Sequence, residues 1–411
     1  MSPKARVSSL QQSSPNQSRA RDLRLLLGAR AVRAFGDGYV SLLLPFYLKT
    51  LGFSAFEIGA IATATLFGSG LATLAVGQVA HRIEQRKLLM LACVLMTATG
   101  LGFAAFSDIW ILMMIAVVGT LNPSSGDVSV FLPLEHARLS EAVQTQKRTA
   151  AFAVYGLVGT LVAALGALAA GLPTLLATDA QTALRAMFIL YAALGLICLA
   201  LYRGLSNDVV HEREAPAPAL SRSKKTVYTL AALFSLDAFA GGFVVQSLLA
   251  LWLFERFELS VALAGTIFFW SGILSAVSYL IAVRIAGRFG LLNTMVFTHL
   301  PANVLLVLTA FAPSLPIAIA FLLARSLLSQ MDVPTRSAFV MSVVAKHERA
   351  AAASVTSVPR SMASAVSPLL AGYLLSLSSF GWPLIAAGGL KIVYDLTLFK
   401  LFRSVPPLEE G

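Results

Sequence analysis

The chain has 411 residues, of which 57% are hydrophobic and only 12% charged, with a mean hydropathy of +0.78 and a net charge of +11. A soluble protein of this length needs far more charge to cover its surface, so lipid must solvate much of it. Two cysteines in apolar runs, Cys93 and Cys198, and five scattered histidines exclude a disulfide framework and a metal site, and no nucleophile–base constellation or phosphate loop points to an enzyme.

Residues 1–24 are rich in Ser and Gln with scattered basic residues and no apolar stretch, which predicts a disordered cytoplasmic tail. Apolar segments of roughly twenty residues, enough to cross the hydrocarbon core, then follow one another. They begin at about Leu25, Phe56, Leu88, Ile109, Thr149 and Thr182, and again at about Val227, Ala262, Asn293, Ser314, Ala352 and Trp382. The pairs around Ser107 and Pro313 read as tight helical hairpins, and Asn122-Pro123-Ser124-Ser125-Gly126 interrupts the fourth segment. A polar linker, residues 204–226, carries Asp208, Glu212, Arg213, Glu214 and Ala215-Pro216-Ala217-Pro218, and residues 405–411 form a second tail. The pattern predicts an all-α polytopic membrane protein: twelve transmembrane helices in two pseudo-symmetric six-helix bundles, residues 25–203 and 227–404.

Lys and Arg gather in alternate loops, which is a topology signal rather than a nucleic-acid footprint. One side holds Arg82, Arg86, Lys87, Arg138, Lys147, Arg148, Arg222, Lys224, Lys225, Arg288, Lys346 and Arg349, the other only Lys49, Arg185 and Arg256. Both termini and the linker are therefore expected in the cytoplasm, the protein in a bacterial inner (plasma) membrane.

Sliding the chain by 206 residues superposes its halves: Ser41 falls on Ser247, Ser54 on Ser260, Gly59 on Gly265 and Arg82 on Arg288. At a shift of 205, Asp127-Val128 falls on Asp332-Val333. Matches between small and polar residues in a Leu- and Ala-rich chain indicate duplication, and two parallel repeats joined by a linker describe a known transporter architecture.

After the second segment stands Gly77-Gln78-Val79-Ala80-His81-Arg82-Ile83-Glu84-Gln85-Arg86-Lys87. With the repeat, it resembles the major facilitator superfamily, whose signature here is Gly-x-x-x-Asp-Arg-x-Gly-Arg-Lys. Gly77, Arg82, Arg86 and Lys87 match, whereas His81 replaces the usual Asp and Glu84 the usual Gly. The resemblance implies a cytoplasmic gating turn built from these six residues, its latch altered by His81, with Glu84 as a displaced acid. The fifth segment, with Gly156, Gly159, Gly166 and Gly171-Leu172-Pro173, loosely resembles drug–proton antiporters; ordinary close packing accounts for it equally.

A charge inside a bilayer needs a partner or a cavity. Asp37 lies halfway along the first segment with Arg33 one turn earlier, which suits either proton or substrate coupling or a permanent ion pair. Arg30, nearer the cytoplasm, is expected to snorkel. Asp127, Asp237 and Asp332 are further coupling candidates, with Arg336 or Arg325 as partner for Asp332. Arg325, Arg360 and Lys391 give the interior a basic character, and Lys391 and Asp395, one turn apart, read as a self-satisfied pair. Tyr39, Phe46, Tyr47, Phe268, Phe269 and Trp270 are candidate cavity aromatics.

These features favour a monomeric, cofactor-free secondary transporter that exports small organic compounds in exchange for protons. An importer or exchanger of organic anions using the basic interior is the alternative, and a non-transporting receptor or scaffold a remote third.

Overall fold

Backbone N–H and C=O groups in lipid have no water to bond, so an apolar segment must satisfy them within itself and becomes helical. The computed structural model describes residues 15–79, 82–124, 129–144, 147–175, 179–206, 220, 223–345 and 348–404. Among these, the first group of helices is α1 (Pro15–Thr50), α2 (Ala55–Val79), α3 (Gln85–Ala105), α4 (Ile109–Val118), α5 (Phe131–Ala142), α6 (Arg148–Ala169) and α7 (Ala180–Arg203). The second group is α8 (Lys224–Gly242), α9 (Gln246–Phe257), α10 (Val261–Phe289), α11 (Leu291–Ala310), α12 (Leu315–Ser329), α13 (Asp332–Val343), α14 (Arg349–Leu377) and α15 (Trp382–Phe402). Among the described residues, eight helical stretches are long and apolar enough to cross a bilayer, two of them composite: α8 with α9, and α12 with α13.

The expected segment starts hold to within a few residues except at the first. There α1 begins at Pro15, inside the expected tail. Asp22 is buried; its carboxylate accepts from the Ser206 backbone N–H at 3.1 Å and meets Arg138 at 3.3 Å. This contact places the start of α1 beside the end of α7, and we call this end of the molecule the linker side. Most of the linker and both extreme termini lie outside the described residues.

The repeat is visible in local stereochemistry. Ser54 and Glu57 form a capping box at the start of α2: Glu57 Oε2 accepts from the Ser54 N–H at 2.7 Å and Ser54 Oγ from the Glu57 N–H at 3.3 Å. Ser260, 206 residues on, caps α10 by accepting from the Leu263 N–H at 3.2 Å. The turns before them share a left-handed residue at the same repeat position, Gly52 at φ 88° and Glu258 at φ 52°.

Within the first group α1 packs on α6 and α7, α3 on α7, and α2 on α4; within the second, α8 packs on α14 and α15, and α11 on α15 and α12. The groups meet through α2 with α14, α6 with α10, and α1 with α9. On the far side, opposite the linker, these contacts are close. A Cβ on Gly59 would lie 2.5 Å from the Pro368 carbonyl oxygen, and one on Gly265 2.4 Å from that of Ala167. Lys49 on α1 and Glu255 on α9, again 206 apart, face each other at 3.7 Å. Gln246 donates to Ser41 Oγ at 2.9 Å, and the Ser247 backbone N–H to the Pro123 carbonyl at 3.0 Å.

At the linker side the same helix faces diverge. Gly77 follows Gly59 by 18 residues, five whole turns, and so shares its face of α2; a Cβ there meets nothing within 4 Å. Gly156 precedes Ala167 by 11 residues, about three turns, and its Cβ position is equally open. The two groups thus close at the far side and enclose a cleft that opens towards the linker. Away from it, large apolar side chains such as Trp110 and Val283 stand exposed, as lipid-facing positions do.

Glycine at a close helix crossing and glycine at the mouth should differ sharply on substitution. A Cβ on Gly68 would lie 1.8 Å from the Val117 carbonyl oxygen, so Gly68→Val is expected to cost about 1–3 kcal/mol through overpacking. Gly156→Val should stay within about 0.5 kcal/mol. Melting temperatures of the purified variants check both.

Candidate functional site

In the first group, α1 presents Arg33, α5 Glu135, α6 Tyr155 and α7 Tyr202, all buried. Arg33 bonds Glu135 directly. The same carboxylate accepts from the Tyr202 hydroxyl at 2.7 Å and from the Tyr155 hydroxyl at 2.5 Å. Phe131 lies beneath the Arg33 guanidinium at 4.2 Å. One acid thereby ties four helices together. Asp37, 7% exposed, is bonded by Asn122 from the break after α4 and has Arg33 and Arg30 as its nearest cations. Of the two readings of Asp37, the permanent pair with Arg33 is not formed: Glu135 is the ion-pair partner of Arg33.

Arg30 does not snorkel. It is buried, 5.0 Å over the Tyr155 ring, and a Cβ on Gly159 would lie 2.4 Å from its guanidinium. That fifth-segment glycine makes room for a cation. Gly166 accommodates the Phe35 backbone.

In the second group Asp237 on α8 accepts from Lys391 of α15 at 2.6 Å and from Arg336 of α13 at 2.9 Å. Arg336 also bonds Asp332, as its spacing suggested, and lies 5.3 Å from the Phe234 ring. Lys391 and Asp395 are not a self-satisfied pair, since Lys391 is taken by Asp237. Asp395 faces α11 instead, where His299 approaches at 2.8 Å and Asn303 donates at 2.9 Å. Arg325 on α12 is partly buried with its Nε unbonded, and makes no ion pair among the described residues. Arg360 on α14 is exposed although surrounded by protein, the situation of a cleft wall; it too lacks an ion pair among the described residues.

Asp127 and His81 lie outside the described residues. Of the gating turn, Glu84 pairs with Lys87 at 3.1 Å, Arg86 donates to the Arg203 carbonyl at 2.7 Å, the Arg82 N–H closes the turn onto the Val79 carbonyl at 2.8 Å, and Gly77 faces the open mouth. Tyr39 and Tyr47 are not cavity aromatics: both are buried, donating to the Met187 and Phe103 carbonyls at 3.1 and 3.0 Å. Phe46 packs on Phe254 of α9 and Phe269 on Trp270, while Phe268 is buried.

Sequence reading missed Glu135 and His299. Glu135 follows the helix break and reads as loop; the signal for it is Phe131, Leu134, Glu135, Arg138 and Leu139 at helical spacing, which are the buried residues of α5. His299 has Asn303 at i+4 within an apolar run, a polar pair on one helix face. Among the described residues, no group of three or more His, Cys, Asp or Glu side chains forms a metal site.

Comparison with known proteins agrees with this geometry. Residues 26–245 and 230–411 match the family profile described as Major Facilitator Superfamily. An uncharacterised membrane protein of Saccharomyces cerevisiae is 25% identical over 426 residues, covering 94% of this chain and 95% of that one. Among solved structures, a point variant of the nucleoside transporter NupG superposes with a TM-score of 0.73 at 16% identity, over 92% of this chain and 100% of that one. A bacterial homologue of the human lysosomal transporter Spinster gives 0.73 at 15%, over 97% and 100%. The human organic anion transporter MFSD10 gives 0.68 at 15%, over 94% and 100%. At these identities the structural likenesses carry the fold.

The reassigned ion pair has a direct test. Glu135→Ala strands Arg33 in a buried position and is expected to cost about 3–5 kcal/mol. Asp37→Asn leaves the Arg33–Glu135 bond in place and should cost less than about 1 kcal/mol. Thermal unfolding of the two variants in one detergent separates them.

Proposed function

Because the chain belongs to the major facilitator superfamily, we propose that it is a secondary active transporter carrying a small organic solute by alternating access between two six-helix bundles. Residues 25–203 and 227–404 form the bundles, α4 with α5, α8 with α9, and α12 with α13 each serving as one broken span. The linker side, where Lys and Arg concentrate, is cytoplasmic. On that assignment the cleft is open to the cytoplasm and shut on the opposite side.

The observation that carries the reading is the cleft itself, closed by repeat-equivalent residues at one end and open at the other. Exchange of open and closed ends about the pseudo-two-fold is the motion that such symmetry permits. The basic turn from Gly77 to Lys87, with His81 in place of the usual acid, gates the cytoplasmic end.

Accessible charge favours an anion as the solute over the cationic compounds of drug exporters. Among the described residues, the acids within the spans, Asp37, Glu135, Asp237, Asp332 and Asp395, are all buried and engaged. The charges still accessible at mid-depth are Arg325 and Arg360. Both lie about ten residues into their helices, roughly 15 Å from the helix start. Asp37 supplies proton coupling, because Glu135 takes the direct bond to Arg33 and leaves Asp37 with a neutral amide, Asn122, as its hydrogen-bond partner.

A thermal-shift screen on purified protein, run at two pH values with citrate and glucose 6-phosphate against tetraphenylphosphonium, tests the solute class. A saturating anion, at about 100 times its Kd, should stabilise by about 2.7 kcal/mol, and Arg360→Gln should abolish that gain. Stabilisation by the cation alone would overturn the anion reading. For coupling, Asp37→Asn in proteoliposomes should lose accumulation of the anion so identified under an imposed proton gradient yet keep its counterflow; unchanged accumulation excludes Asp37.

A further inference from the structure

His299 occupies a position that the transport reading above does not use. It is 5% exposed on α11, in a helix otherwise apolar on that face apart from Asn303 one turn later. Its Nδ1 lies 2.8 Å from Asp395 Oδ1, and its Nε2 4.0 Å from Asp237 Oδ1. Asn303 holds the other Asp395 oxygen at 2.9 Å, and Tyr394 sets its ring edge-on to the imidazole at 6.1 Å. The ring therefore bridges two carboxylates from different helices.

Of the three carboxylates in this cluster, one has no permanent cation in contact. Three carboxylates, Asp237, Asp332 and Asp395, meet two permanent cations, Arg336 and Lys391. Other ionisable groups on the elements around α11 are Arg325 of α12, Tyr394 and Lys400 of α15 and, on α10, Tyr279, Arg284 and Arg288. Arg325 and Arg360 make no ion pair among the described residues, although Arg360 of α14 lies within electrostatic reach of Asp237 and Asp332. Asp237 and Asp332 each have a permanent cation in contact; Asp395 has only the imidazole and an amide. An uncompensated charge at such a place is costly. Both Asp395 oxygens are already occupied by these two partners, so the missing positive charge fits as a proton and not as a metal ion.

We propose that His299, held between Asp395 and Asp237, is a proton-binding site: its Nδ1–H stays on Asp395 Oδ1, and the exchangeable proton is carried on Nε2, which faces Asp237. The proton sets a positive charge beside Asp395, which has no permanent cation in contact, and its loss leaves that carboxylate with neutral partners only. Through Nε2 the imidazole reaches Asp237, the acid that fastens α8 to α13 and α15, so occupancy of the site bears on how the cleft-lining α8 and α13 are held. This last step rests on the alternating-access reading; proton binding does not.

The test uses full-length protein labelled with 15N-histidine in nanodiscs of neutral lipid. His299→Gln identifies its resonance among the five histidines. The expected result is that His299 passes from doubly to singly protonated between about pH 5 and about pH 9, and that Asp395→Asn moves the midpoint by about one pH unit or more. A single protonation state throughout that range in the unsubstituted protein overturns the proposal, whatever the variant does. A midpoint untouched by Asp395→Asn overturns it as well. If His299 titrates as expected while no anion stabilises the protein, the proton site stands and the anion reading falls.

Discussion

An ionised side chain within a bilayer has no water to answer its charge, so the protein must bring a counter-charge to it. That constraint accounts for most of what is specific in this structure. Arg33 requires an acid at its own depth, and α5 carries Glu135 there; Asp237 requires cations, and α13 and α15 deliver Arg336 and Lys391. Both α5 and α13 follow a break in the chain, after α4 and after α12. A straight helix would fix the azimuth of its second half by that of its first. The break frees each second half to turn its charged residue inward.

The two clusters reverse each other's polarity. In the first group the leading helix supplies the cation and the helix after the break supplies the acid; in the second the leading helix supplies the acid and the helix after the break the cation. Phe131 and Arg336 are repeat-equivalent at a shift of 205, so the ring beneath Arg33 stands where the second group has its guanidinium. The pairing of the two helices has been kept through duplication while the signs of the charges have not. Physically this is permissible, because neutrality and contact matter to the bilayer and the direction of the dipole between them does not.

Hydrophobic runs and turn residues made the helices legible: a start such as Ile109 or Trp382 needs only an apolar run after a polar or glycine break. The matched small residues were legible as a repeat, and the structure gives each a task, Ser54 and Ser260 as caps, Gly59 and Gly265 as crossings between the groups. Charge partners were harder. Spacing within one helix proposed Arg33 with Asp37 and Lys391 with Asp395, yet Arg33, Lys391 and Asp395 each bond a partner on another helix, and Asp37 is bonded by Asn122 in the break after α4. Asp332 with Arg336 succeeded because that pair lies within α13 itself. Partners such as Glu135, more than a hundred positions from Arg33, are brought close only by the packing of α1 on α5, which no local pattern encodes. The burial of Asp22 near the start of α1 was hidden for the same reason, since it is held by Ser206 across the whole first group.

One contact of the far-side closure is made by main chain alone, the Ser247 N–H on the Pro123 carbonyl. Lys49, Glu255, Ser41 and Gln246 contribute through side chains that a codon change removes, but this bond persists through almost any replacement at either position. Among the common amino acids only proline at 247 lacks the hydrogen it needs. Systematic alanine replacement along these helices would therefore under-report how firmly the far side is shut. Over evolutionary time the two positions can drift in side-chain identity without loosening the seal, so variation there in related chains says little about whether the closure itself has been retained.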